Sequence, residues 1–97
     1  MKNDEAICRA ARMLKVLGDP TRLAIMTFLK EQEANVTTIC EMLGAEQSAV
    51  SHQLKVLRDH RLVKTHRDGR NIVYSPDDRH VLDVLSQVIE HVNEHNE

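Results

Sequence analysis

The sequence predicts a mainly α-helical domain with one β-hairpin, in the order ααααββα. Apolar residues recur at intervals of three and four in four successive segments, which is the period of amphipathic helices. Two β-prone runs then surround an Asp-Gly pair, and a last segment returns to the helical period. Because only a few residues separate the third and fourth helices and the hairpin follows directly, this order indicates a single winged helix-turn-helix domain over residues 1–97.

The first two helices are predicted from apolar stripes and from the residues between them. Gly18 ends the first helix, and Asp19 followed by Pro20 supplies a capping carboxylate and a proline at the first helical position of the second. The apolar positions of these two helices are Ala6, Ile7, Ala10, Ala11, Leu14, Leu17, Leu23, Ile25, Met26 and Leu29. We expect the second helix to be largely buried.

The third and fourth helices form the predicted helix-turn-helix. Thr37 or Thr38 is expected to cap the third helix, and Gly44 is expected to end it. Ser48 is expected to cap the fourth helix, which extends over about residues 48–59. In such a motif the second helix enters the major groove of DNA, so we refer to it as the reading helix.

The hairpin and the last helix complete the predicted domain. An Asp-Gly pair at Asp68 lies between two β-prone runs, which predicts a wing over about residues 62–75. The last helix is expected to run over about residues 77–94, with apolar residues spaced alternately by four and three as in a coiled coil. These seam residues are Val81, Leu85, Val88 and Val92. We therefore expect a homodimer formed through the first and last helices.

The composition limits the possible environments of the protein. The chain has one Phe, one Tyr and no Trp, so its core must be aliphatic, and a dimer interface is expected to add stability to so small a domain. Two cysteines, Cys8 and Cys40, are too few for a disulfide scaffold and fit a reducing compartment. No apolar run approaches the length of a signal core or a membrane span. We expect a cytoplasmic protein with no membrane partner.

The formal net charge of −2 hides a strong segregation along the chain. Residues 47–70 contain six basic side chains and two acidic ones, whereas residues 71–97 contain one arginine and six acidic side chains. A basic middle and an acidic last segment predict two surfaces with different partners.

The basic segment carries the candidate DNA-binding residues. Small and hydrogen-bonding side chains early in the reading helix can approach base edges, and Gln53 could pair with adenine. Lys55 and Arg58 are better suited to phosphates, and Arg67 and Arg70 at the hairpin tip suit the minor groove or the backbone. The predicted set is Gln47, Ser48, Ser51, His52, Gln53, Lys55, Arg58, Arg67 and Arg70.

The last helix carries a pattern of metal donors. His80 and His91 lie eleven residues apart, with Asp78 just before the first and Glu94 one turn beyond the second. At a rise of ~1.5 Å per residue the histidines are about 16 Å apart, too far to share one ion within a single helix. Eleven residues at about 100° each nevertheless return to nearly the same face, so an antiparallel helix from a second copy could bring His80 beside His91. The pattern predicts metal bound between subunits, twice by symmetry.

Three motifs stand out along the chain. They are Leu17-Gly18-Asp19-Pro20-Thr21-Arg22-Leu23, then Val50-Ser51-His52-Gln53-Leu54-Lys55-Val56-Leu57, and then Arg67-Asp68-Gly69-Arg70 with Tyr74. In this order and spacing they closely resemble the ArsR/SmtB family of bacterial metal-sensing winged-helix repressors, and the resemblance covers nearly the whole chain. It implies a homodimer that binds an imperfect inverted repeat in promoter double-stranded DNA and leaves the DNA when its inducer binds.

The resemblance also implies a ligand set. The family's last-helix site matches this chain position by position, with two ligands from each subunit. His95 is a spare donor near His91 that could replace Glu94 or supply a further ligand. The implied metal ligands are Asp78, His80, His91 and Glu94. Two imidazoles and two carboxylates suit Zn(II) and accept Co(II), while Ni(II) is less favoured. The family's cysteine-based site falls here on Asn35 and Thr38, which offer no thiolate.

These features predict a metal-responsive transcriptional repressor. An enzyme is not expected, since four protein ligands leave no open metal position and no nucleophile–base pair stands out. The alternative is a thiol-redox-responsive winged-helix repressor that uses Cys8 and Cys40, with the histidines of the last helix inert.

Overall fold

The computed structural model describes residues 4–95, which form five helices and one antiparallel hairpin. The elements are α1 (Asp4–Leu17), α2 (Pro20–Glu31), α3 (Val36–Leu43), α4 (Gln47–Asp59), β1 (Val63–Asp68), β2 (Asn71–Pro76) and α5 (Arg79–Glu94). Their order confirms the predicted winged helix-turn-helix. The ends of the predicted domain, residues 1–3 and 96–97, lie outside the described residues. Among the described helices, none combines the length and the apolar character that a bilayer crossing requires.

The N-cap residue of α2 is the predicted one, whereas the N-cap residue of α3 is not. Asp19 accepts a hydrogen bond from the backbone N–H of Arg22 at 3.0 Å, with Pro20 in the first turn, as expected. At α3 the prediction of Thr37 or Thr38 as the cap is wrong. Asn35 takes that position, and its side chain accepts from the N–H of Thr38 at 2.9 Å. The physical reason is that asparagine is a stronger N-cap than threonine.

The turn between α3 and α4 also departs from the prediction in one detail. Gly44 ends α3 in the left-handed conformation with a φ of 65°, which glycine adopts without steric cost. The backbone of Glu46 is extended and forms the N-cap of α4, so Ser48 does not cap the helix but lies in its first turn. The hydroxyl group of Ser48 is therefore placed on the helix surface.

The core is aliphatic, as the composition predicts, and α2 lies at its centre. This helix contacts α1, α4, α5 and β2. The buried apolar side chains come from every helix and from the start of the wing, and they are Leu17, Ile25, Met26, Leu29, Ala34, Ile39, Val50, Leu54, Leu57, Leu62, Val63, Leu82 and Leu85. Because α4 and α5 both contribute to this one core, their outer faces have fixed orientations relative to each other.

The apolar face of α5 differs from the predicted seam at one position. Leu85 is only 8% exposed and packs into the core with Leu82, whereas Val84, Val88 and Val92 are 52%, 51% and 59% exposed. The seam prediction is therefore wrong for Leu85, because this helix has two apolar faces and the subunit uses one of them for its own core. We call the exposed residues Val84, Val88 and Val92 the outer valine stripe.

The wing is a short antiparallel hairpin that backbone hydrogen bonds join to the loop before α3. The hairpin pairs Val63 with Pro76 at one end and Asp68 with Asn71 at the other. Gly69 in the turn has a φ of 64°, which favours glycine. Two backbone hydrogen bonds of 2.8 and 3.1 Å join Tyr74 of β2 to Ala34 in the loop before α3. A third bond, from the N–H of Asp77 to the carbonyl of Leu62 at 3.0 Å, connects the two ends of the hairpin.

Candidate nucleic-acid interface and metal centre

The reading helix presents a polar face to solvent. Val50, Leu54 and Leu57 are fully buried on one side of α4. At about 100° per residue, Ser48, Ser51, His52 and Lys55 lie on the opposite side, and all are exposed. Gln47 and Arg58, at the edges of this face, are exposed as well. The structure thus brings most of the predicted base-contacting and phosphate-contacting residues onto one accessible surface.

Gln53 is the exception among the predicted DNA-binding residues of α4. Its side chain is half-buried, and its Oε1 atom accepts a hydrogen bond of 2.7 Å from Arg22 of α2. The Nε atom of Arg22 also donates to the carbonyl of Val16, at the end of α1, at 2.7 Å. A glutamine that reads adenine needs both its oxygen and its NH₂ group, so this arrangement favours a positioning role for Gln53.

Arg22 is a residue that sequence reasoning missed. It joins the end of α1, the start of α2 and the side of the reading helix through two short hydrogen bonds. From its place three residues after the capping Asp19, the sequence predicts only that Arg22 is helical. No neighbouring residue indicates a contact with Gln53, which lies 31 positions further along the chain.

The wing tip supplies a second basic surface. Arg67 and Arg70 are exposed on either side of the tight turn at Gly69. Because the wing is bonded to the loop before α3 through Tyr74 and Ala34, its position relative to the helix-turn-helix is fixed by backbone hydrogen bonds. Guanidinium groups exposed in this way can contact phosphates.

The first turn of α5 holds two of the predicted metal ligands close together. Asp78 is the N-cap, with an extended backbone, and its Oδ1 atom accepts from the backbone N–H of His80 at 2.6 Å. The same oxygen lies 2.8 Å from Nδ1 of His80. These backbone and side-chain hydrogen bonds from His80 lower the pKa of Asp78 below its ordinary value of 3.8. Residues two apart do not share a face of a regular helix, so only the cap position allows this contact.

The last turn of α5 holds a second group of donors. Ligand atoms of His91, Glu94 and His95 all lie within 4.8 Å of one another, and all three side chains are exposed. The rings of His91 and His95 are 4.5 Å apart between centroids and inclined at 52°. Within residues 4–95 this is the one group of three or more His, Cys, Asp or Glu donors with such spacing, and Asp78 and His80 do not belong to it.

The two cysteines occupy different environments. Cys8 is exposed on α1, whereas Cys40 is half-buried and packs against the core. Both are free thiols. Cys40 therefore behaves as a small apolar residue of α3, a common role for an unpaired cysteine.

A winged helix-turn-helix with a basic reading face is a class of domain found in transcriptional regulators, and comparison with known proteins agrees. Residues 19–65 match the family described as bacterial regulatory protein, arsR family. The transcriptional regulator NmtR of Mycobacterium tuberculosis is 46% identical over 92% of this chain and 74% of its own length. The chain belongs to the arsR family and is a transcriptional regulator, not an enzyme.

One more relative in sequence and two solved structures are also similar to this chain. The transcriptional repressor SmtB homolog of Synechocystis is 43% identical over 87% of this chain, which spans 64% of that relative's length. The solution structure of apo-NmtR is similar with a TM-score of 0.80, and the match covers 93% of this chain and 76% of the apo-NmtR chain. A second similar structure is the homodimeric winged helix-turn-helix DNA-binding domain of Mb0332 from Mycobacterium bovis, with a TM-score of 0.86 and 27% identity. The match covers 96% of this chain and 86% of the Mb0332 chain.

Proposed function

We propose that this protein is a metal-responsive transcriptional repressor. The apo homodimer binds an imperfect inverted repeat in promoter DNA, and it leaves the DNA when Zn(II) or Co(II) binds between the subunits at the last helices. The observation that carries this proposal is the combination, on α5, of an outward apolar stripe with donor groups at both ends of the helix. Promoter binding would take place in the cytoplasm, the compartment that the sequence predicts.

Dimer formation is supported by apolar surface that one subunit leaves exposed. The outer valine stripe on α5 is accompanied on α1 by Ile7 and Leu14, which are also exposed. Between the two helices lies an apolar groove of about 280 Å³, lined in part by Ala10, Met13 and Val81. Burial of such side chains stabilises association by roughly 25 cal/mol per Å² of apolar surface. The related Mb0332 domain is described as homodimeric, which supports the same assembly here.

DNA binding is supported by the position of the basic residues. The exposed polar face of α4 and the arginines of the wing tip belong to one rigid unit, and a twofold dimer would present two such units. Twofold-related reading helices fit successive major grooves, about 34 Å apart, which explains why an inverted repeat is the expected target. The name of the Mb0332 domain includes DNA binding, and the Synechocystis relative is named as a repressor.

The donor groups of α5 suit a metal bound across the dimer. Asp78 and His80 lie at one end of a 16-residue helix, and His91, Glu94 and His95 lie at the other. Imidazole nitrogens and carboxylate oxygens are ligands that Zn(II) and Co(II) accept, whereas sulfur donors are absent from both described groups. When bound, the ion would link the last helices of the two subunits.

A response of the reading helix requires a connection from the donors to α4. Such a connection exists within one subunit, because Asp77, the residue before the Asp78 cap, donates its N–H to the carbonyl of Leu62. Leu62 follows the end of α4 and is itself buried in the core. We expect a rotation of the first turn of α5 to shift the end of the reading helix through this hydrogen bond. Coupling of this kind is typically worth ~1–3 kcal/mol.

The test is a DNA-binding titration of wild type beside His80→Ala. Selection from a random duplex library with the apo protein provides the DNA, and fluorescence anisotropy follows its release. We expect Zn(II) or Co(II) to weaken binding of wild type by about 10- to 100-fold, in line with a coupling of ~1–3 kcal/mol. A chelator should restore binding, and His80→Ala should no longer respond. Unchanged DNA affinity of wild type at saturating Zn(II), Co(II) and Ni(II) would contradict the proposal.

The thiol-redox alternative is separated by the same assay. Alkylation of Cys8 and Cys40 before the titration removes any thiol chemistry but leaves the donors of α5 intact. We expect the metal response to survive, since Cys40 packs against the core and neither cysteine belongs to the donor groups of α5. Loss of regulation on alkylation, together with an oxidant response of the untreated protein, would favour the alternative.

A further inference from the structure

A groove between α1 and the residues at the end of α4 contains three arginines, and we infer that it binds a phosphate group or a chain of linked phosphates. The groove has a volume of about 550 Å³, and Arg9, Arg12 and Arg61 line it together with Asp59 and His60. The inference goes beyond the proposed function, because none of these residues belongs to the donor groups of α5 or to the predicted DNA-binding set.

The positive charges of the groove are not neutralised inside the subunit. Within residues 4–95, no hydrogen bond or ion pair engages the guanidinium group of Arg9, Arg12 or Arg61. Among the described residues that line the groove, Asp59 has the only carboxylate, and this carboxylate already accepts a hydrogen bond of 3.2 Å from Nζ of Lys55. A cleft lined by charges of one sign concentrates ions of the opposite sign, so the groove favours an anion.

Arg61 occupies a backbone position that favours glycine. Its φ is 58°, and it is the one non-glycine residue with a positive φ in the part of the chain that the structure describes. It follows the end of α4, where the N–H of Leu62 bonds to the carbonyl of Leu57 at 2.9 Å, and glycine is the usual residue at this place in such a helix end. An arginine kept where glycine would be less strained indicates a use for its side chain.

The arginines of α1 lie away from the apolar surface of the proposed dimer. Arg9 and Arg12 are three residues apart, so they are neighbours on the helix surface. At about 100° per residue they lie on roughly the opposite side of α1 from Ile7 and Leu14, which are its exposed large apolar residues. A dimer formed through Ile7 and Leu14 should therefore leave the groove accessible to a ligand.

The chemistry of the groove favours an oxyanion with several negative charges. A guanidinium group can donate two parallel hydrogen bonds to a phosphate or to a carboxylate. Three such groups around one open groove suit a ligand that presents many oxygens, as a polyphosphate does, whereas a single carboxylate would engage only one of them. The phosphates would come from a free polyphosphate or from the backbone of bound DNA, since the groove adjoins the end of the reading helix.

The first experiment titrates metal-free dimeric protein with inorganic tripolyphosphate at low salt and measures binding by calorimetry. We expect Arg61→Gly to weaken binding by at least about 10-fold, because one charged donor is lost. Glycine adopts the left-handed conformation freely, so this variant should melt no lower than wild type. Arg9→Ala tests the same groove from α1 and should also bind more weakly. Arg79→Ala removes a positive charge at an exposed position outside the groove and should bind as wild type does.

A second measurement identifies the source of the phosphates. The affinity of the apo protein for its selected DNA is followed against salt, for wild type and for a double variant with alanine at Arg9 and Arg12. A slope of log affinity against log salt that decreases by about 1 for each arginine assigns the groove to backbone phosphates. An unchanged slope, with loss of tripolyphosphate binding, assigns it to a free anion.

Two results would overturn the inference. One is equal tripolyphosphate affinity of wild type, Arg61→Gly and Arg9→Ala together with an unchanged salt slope of the double variant. The other is a loss of tripolyphosphate affinity in Arg79→Ala as large as that in the groove variants, which would reduce the effect to the net charge of the protein. The response of DNA binding to metal enters neither measurement, so failure of the proposed function would leave this inference unaffected.

Discussion

The reading helix α4 and the last helix α5 pack against the same core, yet their outer faces differ in chemistry. The outer face of α4 carries hydroxyl groups, an imidazole and basic side chains, and its half-buried Gln53 is held by Arg22. The outer face of α5 carries the outer valine stripe, with donor groups at each end. The first face is suited to a charged, hydrated ligand, and the second to a second copy of itself. One small core thus orients two chemically unrelated surfaces.

The largest effect is expected from a charge placed in the outer valine stripe. Val88→Glu would put a carboxylate into the proposed dimer interface, where an unpaired buried charge is strongly unfavourable. We expect a monomer in sedimentation analysis and a loss of DNA affinity of at least about 100-fold, since one subunit engages only half of an inverted repeat. Gln87→Glu adds the same charge to an exposed position of α5 outside the stripe and should remain dimeric. A dimeric Val88→Glu protein would show that the outer valine stripe is not the dimer interface.

The next effect concerns the contact that positions α4. Arg22→Ala removes the hydrogen bonds to Gln53 and to the carbonyl of Val16. We expect a loss of about 1–3 kcal/mol in the free energy of unfolding, because part-buried acceptors are left unpaired. Chemical denaturation measures this loss, and Arg12→Ala, at an exposed arginine of α1, serves as the control. Equal stability of the two variants would mean that Arg22 does not fix the reading helix.

A smaller effect is expected at the wing tip. Replacing both Arg67 and Arg70 by alanine should weaken DNA binding by a similar factor for every sequence, since phosphate contacts carry no sequence information. The slope of log affinity against log salt should decrease by about 1 for each contact removed. Arg79→Ala, at an exposed arginine at the start of α5, is the control and should leave the slope unchanged. An unchanged slope in the double variant would remove the wing from the DNA-binding surface.

The smallest effect is a pH dependence of the apo protein at the first turn of α5. Hydrogen bonds from His80 lower the pKa of Asp78 in the folded state, so its carboxylate stabilises the fold at pH values above its ordinary pKa of 3.8. This contribution should be lost as the pH falls from 3.8 through the lower folded value. Melting temperatures measured with a chelator between pH 6 and 3 should therefore fall slightly less for Asp78→Asn than for wild type. The opposite sign would show that the carboxylate is not stabilised by His80.

Much of the fold, and the different chemistry of α4 and α5, could be predicted from the sequence, because these features depend on local signals. The Asp19-Pro20 start of α2, the left-handed Gly44 and the Asp-Gly hairpin each follow from the conformational preference of a few neighbouring residues. The donors of the last helix could be found from their spacing alone. The sequence also predicts which residues of α4 face solvent, since its apolar stripe is unambiguous.

The remaining features depend on how helices rotate against one another. Leu85 and Val84 are adjacent apolar residues, and only the packing of α5 against the core decides which one is exposed. The sequence predicts that Gln53 contacts a base, whereas the packing of α2 against α4 places Arg22 at the side-chain oxygen of Gln53. Similarly, the contact between Asp78 and Nδ1 of His80 requires the extended backbone of a cap residue, which no spacing rule contains.

The pair of backbone hydrogen bonds between Ala34 and Tyr74 has a consequence for the choice of operator. Because the hairpin is joined in this way to the loop before α3, we expect the groove and phosphate contacts of the proposed DNA complex to keep a constant offset within a half-site. A single subunit then has little capacity to accommodate a stretched or compressed half-site. If the proposed dimer binds an inverted repeat, we expect tolerance to variation in promoter geometry to come from changes in the angle between the two subunits. Operators should then differ more in the spacer between half-sites than within them.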